Sequence, residues 1–158
     1  MRDLKKLMLR PGLASDIEAM YQLDVLCFSE PFRFNRFTMS RYAQHPRAIV
    51  VVVEQDDAIG GFIILHVSGR ERRTAAYMVT LDVHPDLRQQ GVATVLVEEA
   101  ERQAREAGAT RLSLHVHTGN EAAIRFYERL GFSATQFHPD LYAPGLDGMG
   151  YLKLLASL

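Results

Sequence analysis

With 158 residues, 47% of them hydrophobic and 23% charged, the chain has the length and balance of one ordinary globular domain, expected to span residues 1–158, and whole-chain disorder, collagen and coiled coil are excluded. Eighteen Lys and Arg against nineteen Asp and Glu leave a formal charge of −1, so no overall basic field exists to hold nucleic acid or an anionic membrane surface, and any anion has to be bound locally. A single cysteine, Cys27, excludes an internal disulfide; with no run of about 18 apolar residues and no signal-peptide core in MRDLKKLMLR, the expected compartment is the cytoplasm.

In chain order, residues 5–9 read as a short strand ending at Arg10-Pro11-Gly12. Ser15 and Glu18 have the spacing of a capping box, opening a helix with Ile17, Met20 and Tyr21 on one face and ending near Cys27 and Phe28. A second short helix is expected over 36–43. Residues 48–54 (AIVVVVE) are a strand on β-branched content, Gln55-Asp56-Asp57 a turn, and 61–67 its hairpin partner. A charged turn over 69–73 leads to a longer strand, 75–83. The strongest helix is 91–108, with Val92, Val95, Leu96, Ala100 and Ala104 as its apolar stripe and Gly108 at the left-handed C′ position. A strand over 111–117 precedes a second amphipathic helix, 120–130, with Asn120 or Thr118 at the N-cap, Ala123, Phe126, Tyr127 and Leu130 on one face, and Gly131 after it. Strands over 132–137 and 149–154 close the chain, with a Pro-, Gly- and Asp-rich loop over 138–148 between them. The order β-α-α-β-β-β-α-β-α-β-β predicts an α/β fold of the α+β kind, a central mixed sheet flanked by helices.

Within LDVHPDLRQQGVATVL, residues 81–96, a strand ends, a Pro-containing turn follows, and Arg88-Gln89-Gln90-Gly91-Val92-Ala93 leads into the strong helix. Unpaired backbone N–H groups at a helix start, with the helix dipole behind them, form a site for phosphate. Gly91 permits close backbone approach, Ala93 leaves room, and Arg88 adds local charge. Taken alone, the string fits a plain strand–turn–helix junction equally well. GxxxxGK[ST] and GxGxxG are both absent, which leaves nucleotide readings without support.

The run Arg88-x-x-Gly91-x-Ala93 between a strand and a long helix resembles the acyl-CoA motif of the GNAT superfamily of N-acetyltransferases. Asn120-Glu121-Ala122-Ala123-Ile124-Arg125-Phe126-Tyr127-Glu128-Arg129-Leu130-Gly131-Phe132 resembles that family's N-x-x-A-x-x-x-Y-x-x-x-G-F segment. The two stand in the family's order, and the resemblance covers nearly the whole chain. Within the family, Tyr77-Met78-Val79-Thr80-Leu81, Leu114-His115-Val116 and the segment from Leu141-Tyr142 to Met149 look like parts of the protein N-terminal α-amino acetyltransferases, the ribosomal-protein-alanine type included. Leu146-Asp147-Gly148 departs from the Glu-Asp-Ala of many members.

The resemblance implies an acetyl-CoA-dependent enzyme in which an amine attacks a thioester directly. A base takes the amine proton, often through water, an acid serves the leaving thiolate, and N–H donors serve the oxyanion. It implies His115 as the candidate base, Tyr77 as a group ordering water or amine, and Tyr127 as the candidate acid. His115 shares a strand face with Ser113 and His117, so it also reads as a polar residue on the less buried face. Tyr77 reads also as a cross-strand packing aromatic, and Tyr127 as a core aromatic. His115-x-His117 lacks a third ligand of suitable spacing, and no metal is expected. The cofactor is expected at Arg88, Gln89, Gln90, Gly91, Val92, Ala93 and Thr94, with its pantetheine arm along the backbone near Leu81 and Val83 and against Asn120, which serves equally as an N-cap. Cys27 reads as core.

Phe28, Glu30, Pro31 and Phe32, after the first helix, lie where the family places one wall of the acceptor mouth, and Tyr142 where a tyrosine touches the peptide backbone. The same apolar run also fits a loop packed on the core. The expected acceptor is a peptide or protein N-terminal α-amine, since an α-amine titrates near 7.7–8.0 and a lysine near 10.4. The alternatives are a small amine (a polyamine, amino acid or antibiotic) and a non-catalytic acyl-CoA-binding module. Neither a nucleic-acid nor a membrane partner is expected, and a homodimer is left open.

Overall fold

A computed structural model describes residues 7–156. Seven strands form one mixed sheet: β1 (Met8–Pro11), β2 (Ala48–Gln55), β3 (Ala58–Ser68), β4 (Ala75–Val83), β5 (Arg111–His117), β6 (Ser133–Ala143) and β7 (Leu146–Leu154). Four α-helices cover it: α1 (Ile17–Cys27), α2 (Arg36–Ala43), α3 (Val92–Glu106) and α4 (Glu121–Arg129). The spatial order is β1-β2-β3-β4-β5-β7-β6. Every neighbouring pair is antiparallel except β4 and β5, which α3 joins as a crossover. This is the element order and the class expected from the sequence. Of the first predicted strand, Lys5 and Lys6 lie outside the described residues.

The β-branched run of β2 is buried on both sides. Val51 and Val53 join Ile63, Leu65 and the α3 stripe in one core; Val52 joins Phe62, Ile64, Met20, Leu23 and Met39 in the other, under α1 and α2. A sheet covered on both faces needs apolar residues at successive positions, which is why this strand lacks alternation. The turn to β3 is two residues long, and Asp56 and Asp57 both have positive φ, the form that matches strand twist in a tight hairpin.

Four local expectations are corrected. The capping contact is two residues earlier than Ser15 and Glu18: Asp16 Oδ2 accepts the Leu13 N–H at 2.7 Å, closing a short 3₁₀ turn, while Glu18 pairs with Arg36 on α2. Val95 is exposed and Val97 is buried in its place. At 100° per residue Val95 lies about 120° from the centre of the 92-96-100-104 stripe and Val97 about 80°. β3 extends beyond 61–67 to Ala58 and Ser68. The expected loop over 138–148 is instead the distal half of the β6–β7 hairpin. Its Asp, Pro and Gly residues are turn chemistry: Asp140 and Gly145 take positive φ, Asp140 Oδ1 accepts the Gly145 N–H, and Asp147 Oδ1 accepts the Asp140 N–H.

One irregularity positions the site. In the β3–β4 ladder Ile64 pairs with Thr80 and Leu65 with Met78, leaving Val79 as an extra residue. Before this bulge Ala76 and Met78 face the α3 core; after it Leu81 and Val83 do, and Asp82 turns toward α1. A bulge bends its strand and sharpens the twist. β4 and β5 pair only at Ala76–Leu112 and Tyr77–Ser113, just before it.

Candidate active site

Beyond Tyr77 and Ser113 the two parallel strands part, and a cavity of about 1010 Å³ occupies the gap. Met78, Val79, Thr80, Leu81 and Val83 of β4 form one wall; Leu114, Val116 and both histidines of β5 form the other. The start of α3 and the α4 side chains Phe126 and Tyr127 close one end, and the loop between α1 and α2 lies at the other, with Tyr142 of β6.

At the α3 end, the loop turns through Gln89 (φ 61°) and Gly91 (φ 82°). Val95 N–H is the first to bond back into the helix, to Gly91 O, so the amides of Val92, Ala93 and Thr94 face outward as helix-start donors. A Cβ on Gly91 would meet nothing within 4 Å: the glycine is required by its φ, and the space above it is open to an anion. The Arg88 Nε–H donates to Val83 O at 3.2 Å, which holds its cation beside the same opening. Gln90 does not line the cavity; its amide donates to Asp86 O and braces the loop. Asn120 does line it, and its Oδ1 also caps α4 by accepting the Ala123 N–H at 3.2 Å. Open helix-start amides, an adjacent guanidinium and a strand edge without a ladder partner fit a pyrophosphate followed by an extended amide arm.

At the middle of the gap, Tyr77 Oη lies 2.8 Å from His115 Nδ1. Burial, with Tyr42 nearby, raises the phenol of Tyr77 above its ordinary value, so Tyr77 keeps its proton, and the direction of the hydrogen bond follows the His115 tautomer. Burial also holds His115 below the ordinary histidine range, with a further push from His138. Tyr77 does not itself line the cavity, but its hydroxyl stands behind His115. On the opposite side of the sheet, the Tyr127 hydroxyl donates to Met78 Sδ at 3.6 Å. Burial, then Asp82, pushes its phenol far up. It also packs against Phe126 and Phe132, so it serves the core and the cavity at once.

The end of the gap toward the α1–α2 loop is aromatic. Phe32 lies 5.0 Å from both His117 and Tyr142, ring to ring, and Phe28 and Pro31 line the same wall. Burial pushes the Tyr142 phenol up to about 12. The His117 Nδ1–H donates to Asp147 O at 3.0 Å, so this ring is fixed by the β7 backbone. Glu30 is exposed and does not line the cavity. Cys27, read as core, is half-buried on the cavity wall; its thiol donates to Val83 O at 3.3 Å, and burial pushes it up to about 11. Sequence reasoning missed Met78 as the sulfur facing Tyr127, and His138 beside His115. Both contacts join residues far apart in the chain, and no motif carries either.

The pattern of the acetyltransferase (GNAT) family matches residues 17–132. N-alpha-acetyltransferase 30 of Schizosaccharomyces pombe is 31% identical over 139 residues, covering 87% of this chain and 89% of that protein. Two solved structures share the fold. The ribosomal-protein-S18-alanine N-acetyltransferase from Escherichia coli has a TM-score of 0.84 at 22% identity, over 96% of each chain. NAA60 of Arabidopsis thaliana, in complex with acetyl-CoA, has a TM-score of 0.80 at 20% identity, over 94% of this chain and 98% of that one. The chain belongs to the acetyltransferase (GNAT) family and takes its acetyl group from acetyl-CoA.

Proposed function

We propose that this enzyme acetylates the N-terminal α-amine of peptides or proteins, with His115, held by Tyr77, removing the amine proton. The observation that carries the reading is the Tyr77–His115 hydrogen bond of 2.8 Å at the point where β4 and β5 part, beside a mouth walled by Phe32, His117 and Tyr142. The names of the N-alpha-acetyltransferase relative and of the S18-alanine N-acetyltransferase of the same fold support it.

Arg88 and the α3 amides from Val92 to Thr94 would hold the pyrophosphate, the β4 edge at Leu81 and Val83 with Asn120 the pantetheine arm, and Gln89, Gly91 and Ala93 the turn around them. Bound there, acetyl-CoA supplies a thioester carbon as the electrophile. The chain's residues handle the proton. His115 lines the cavity and Tyr77 does not, so the imidazole takes up the amine proton, directly or through water, while the Tyr77 hydroxyl at Nδ1 holds the ring in place. The phenol ends neutral and the imidazole protonated. Tyr127, whose phenol holds its proton tightly, contributes a hydrogen bond to sulfur rather than a full transfer; it makes such a bond to Met78 Sδ.

An imidazole held below the ordinary histidine range is a weak base, and this decides between amines. A lysine side chain is about 2.5 pH units harder to neutralise than an α-amine, or roughly 3–4 kcal/mol at fixed pH. The aromatic wall of Phe28, Pro31, Phe32 and Tyr142 suits an apolar first side chain and the backbone after it, whereas a free polyamine would find no carboxylate lining the cavity among the described residues. The test is a comparison of initial rates with acetyl-CoA on a tripeptide, the corresponding free amino acid and spermidine. The reading expects kcat/KM on the tripeptide to be the highest by tenfold or more; equal or higher values on spermidine or the amino acid would replace it with small-amine transfer.

A further inference from the structure

His138 lies on β6, which is not a neighbour of β5: β7 runs between them. Strands stand about 4.8 Å apart, so the β5 and β6 backbones are separated by roughly 10 Å, yet the ring centroids of His115 and His138 are 4.9 Å apart and edge to face. The register explains how. His115 pairs with Gly150 of β7; His117 and His138 both pair with Gly148. Paired residues share a sheet face, so the β7 positions between the two histidines carry no side chain of their own. A Cβ at Gly148 would come within 2.4 Å of Leu141, and one at Gly150 within 2.6 Å of Thr135 Oγ1, so a side chain at either position would displace a β6 neighbour.

We propose that His138 is a positioning residue that acts through His115, setting the pH at which this imidazole takes up a proton. The inference rests on His115 being the base, and it adds a residue and a direction of control. Two imidazoles in ring contact disfavour double protonation, and a ring packed edge to face covers part of its neighbour. Both effects keep His115 neutral, hence able to take up the amine proton, to lower pH than an isolated histidine would allow. The other titratable groups around His115 are Tyr77 from β4, with Tyr42 of α2 behind it, His117 on its own strand, and Tyr142 from β6. His117 is held by its Nδ1–H on Asp147 O, and His138 is the imidazole whose ring is in contact with that of His115.

The experiment follows the ring NMR signals of His115 against pH in the full chain, with His115→Gln to assign them, in the wild type, His138→Gln and His138→Lys. His138 is only partly buried, and the spectra themselves report whether each variant is folded. Gln removes the second titrating ring and uncovers His115, so its midpoint rises; Lys keeps a permanent positive charge nearby, so its midpoint falls. Opposite shifts support the proposal. Midpoints that stay at the wild-type value in both variants, or move in the same direction, overturn it. The acid limb of kcat/KM, recorded on the same three proteins, separates the two layers. If the limb follows the NMR midpoint, base and tuning both stand. If the midpoint moves in opposite directions while the limb stays fixed, the tuning stands and it is the assignment of His115 as base that fails.

Discussion

Tyr77 and His115 are 38 residues apart and meet because β4 and β5 are parallel neighbours for just two residue pairs. In the sequence each is an ordinary polar residue on a strand face, and only their family-like contexts suggest a shared task. Positioned proton transfer typically contributes 10²–10⁴-fold. His115→Ala is therefore expected to lower kcat by about 10²–10⁴ while the KM for acetyl-CoA stays within about twofold, measured by steady-state CoA release. Tyr77→Phe keeps the ring and removes the hydroxyl that holds His115; it is expected to lower kcat, by less than His115→Ala does, with the tertiary CD spectrum unchanged. The pH dependence follows from direction. As the proposed base His115 has to be neutral, and burial and His138 hold it below its ordinary value, so kcat/KM is expected to be lost as pH falls through a midpoint under about 6.5; a midpoint above that value would contradict the assignment. At Gly91 the requirement is conformational, since φ is 82° and a Cβ meets no atom within 4 Å. Gly91→Ala is expected to cost about 1–2 kcal/mol in the left-handed region and to raise the KM for acetyl-CoA with little change in kcat at saturation.

At the scale of elements, the bulge at Val79 decides most of what the site is. It turns Leu81 and Val83 into the α3 core and aims Asp82 at α1, where Asp24 is also fully buried. Asp24 Oδ2 accepts the Phe34 N–H at 2.8 Å and Asp82 Oδ1 accepts the Thr80 hydroxyl at 2.5 Å. The remaining oxygens, Asp24 Oδ1 and Asp82 Oδ2, have no donor, and a proton shared between the two carboxyls supplies one. Burial first, and Asp24 second, raise Asp82 well above the ordinary carboxyl range. The sign is then set: a group that binds its proton more tightly when folded contributes stability that is full below its unfolded value near pH 4 and is lost as pH rises toward the folded one. Asp82→Asn, whose amide can donate to Asp24 at any pH, is expected to stabilise the protein by roughly 1–3 kcal/mol at neutral pH, with the gain vanishing toward pH 4. Thermal melts at pH 4, 6 and 8 check this; equal melting temperatures at all three would contradict it.

The strands and helices themselves were readable where local chemistry sufficed. β2, β4, β5, α3 and α4 fall within two residues of the spans expected from β-branched runs, helical stripes and flanking glycines. What failed locally failed for identifiable reasons. The β6–β7 hairpin holds its turn-forming residues inside a paired ladder, so Asp140 and Gly145 read as loop. Ser15 and Glu18 have capping-box spacing, but Asp16, gripped by Arg10 in an ion pair of 2.7 Å, reaches the Leu13 N–H first. The bulge, the parting of β4 and β5, and the Asp24–Asp82 pair depend on register and long-range packing, which periodicity does not encode.

At the scale of the whole molecule, a chain of formal charge −1 that uses a polyanionic donor has helix-start amides and Arg88 at one end of a single gap and an aromatic wall at the other. The proposed polarity puts the donor toward α3 and the acceptor toward the α1–α2 loop and the β6–β7 hairpin. On that reading the acceptor's chemistry depends on the aromatic wall and on the imidazole that the fold assembles. The most direct measurement is CoA release from acetyl-CoA with one lysine-containing peptide in two forms, its N-terminus free or blocked. Release with the free form alone is the predicted result. Release with the blocked form would show lysine as the acceptor and contradict the account of His115 as a base matched to an α-amine.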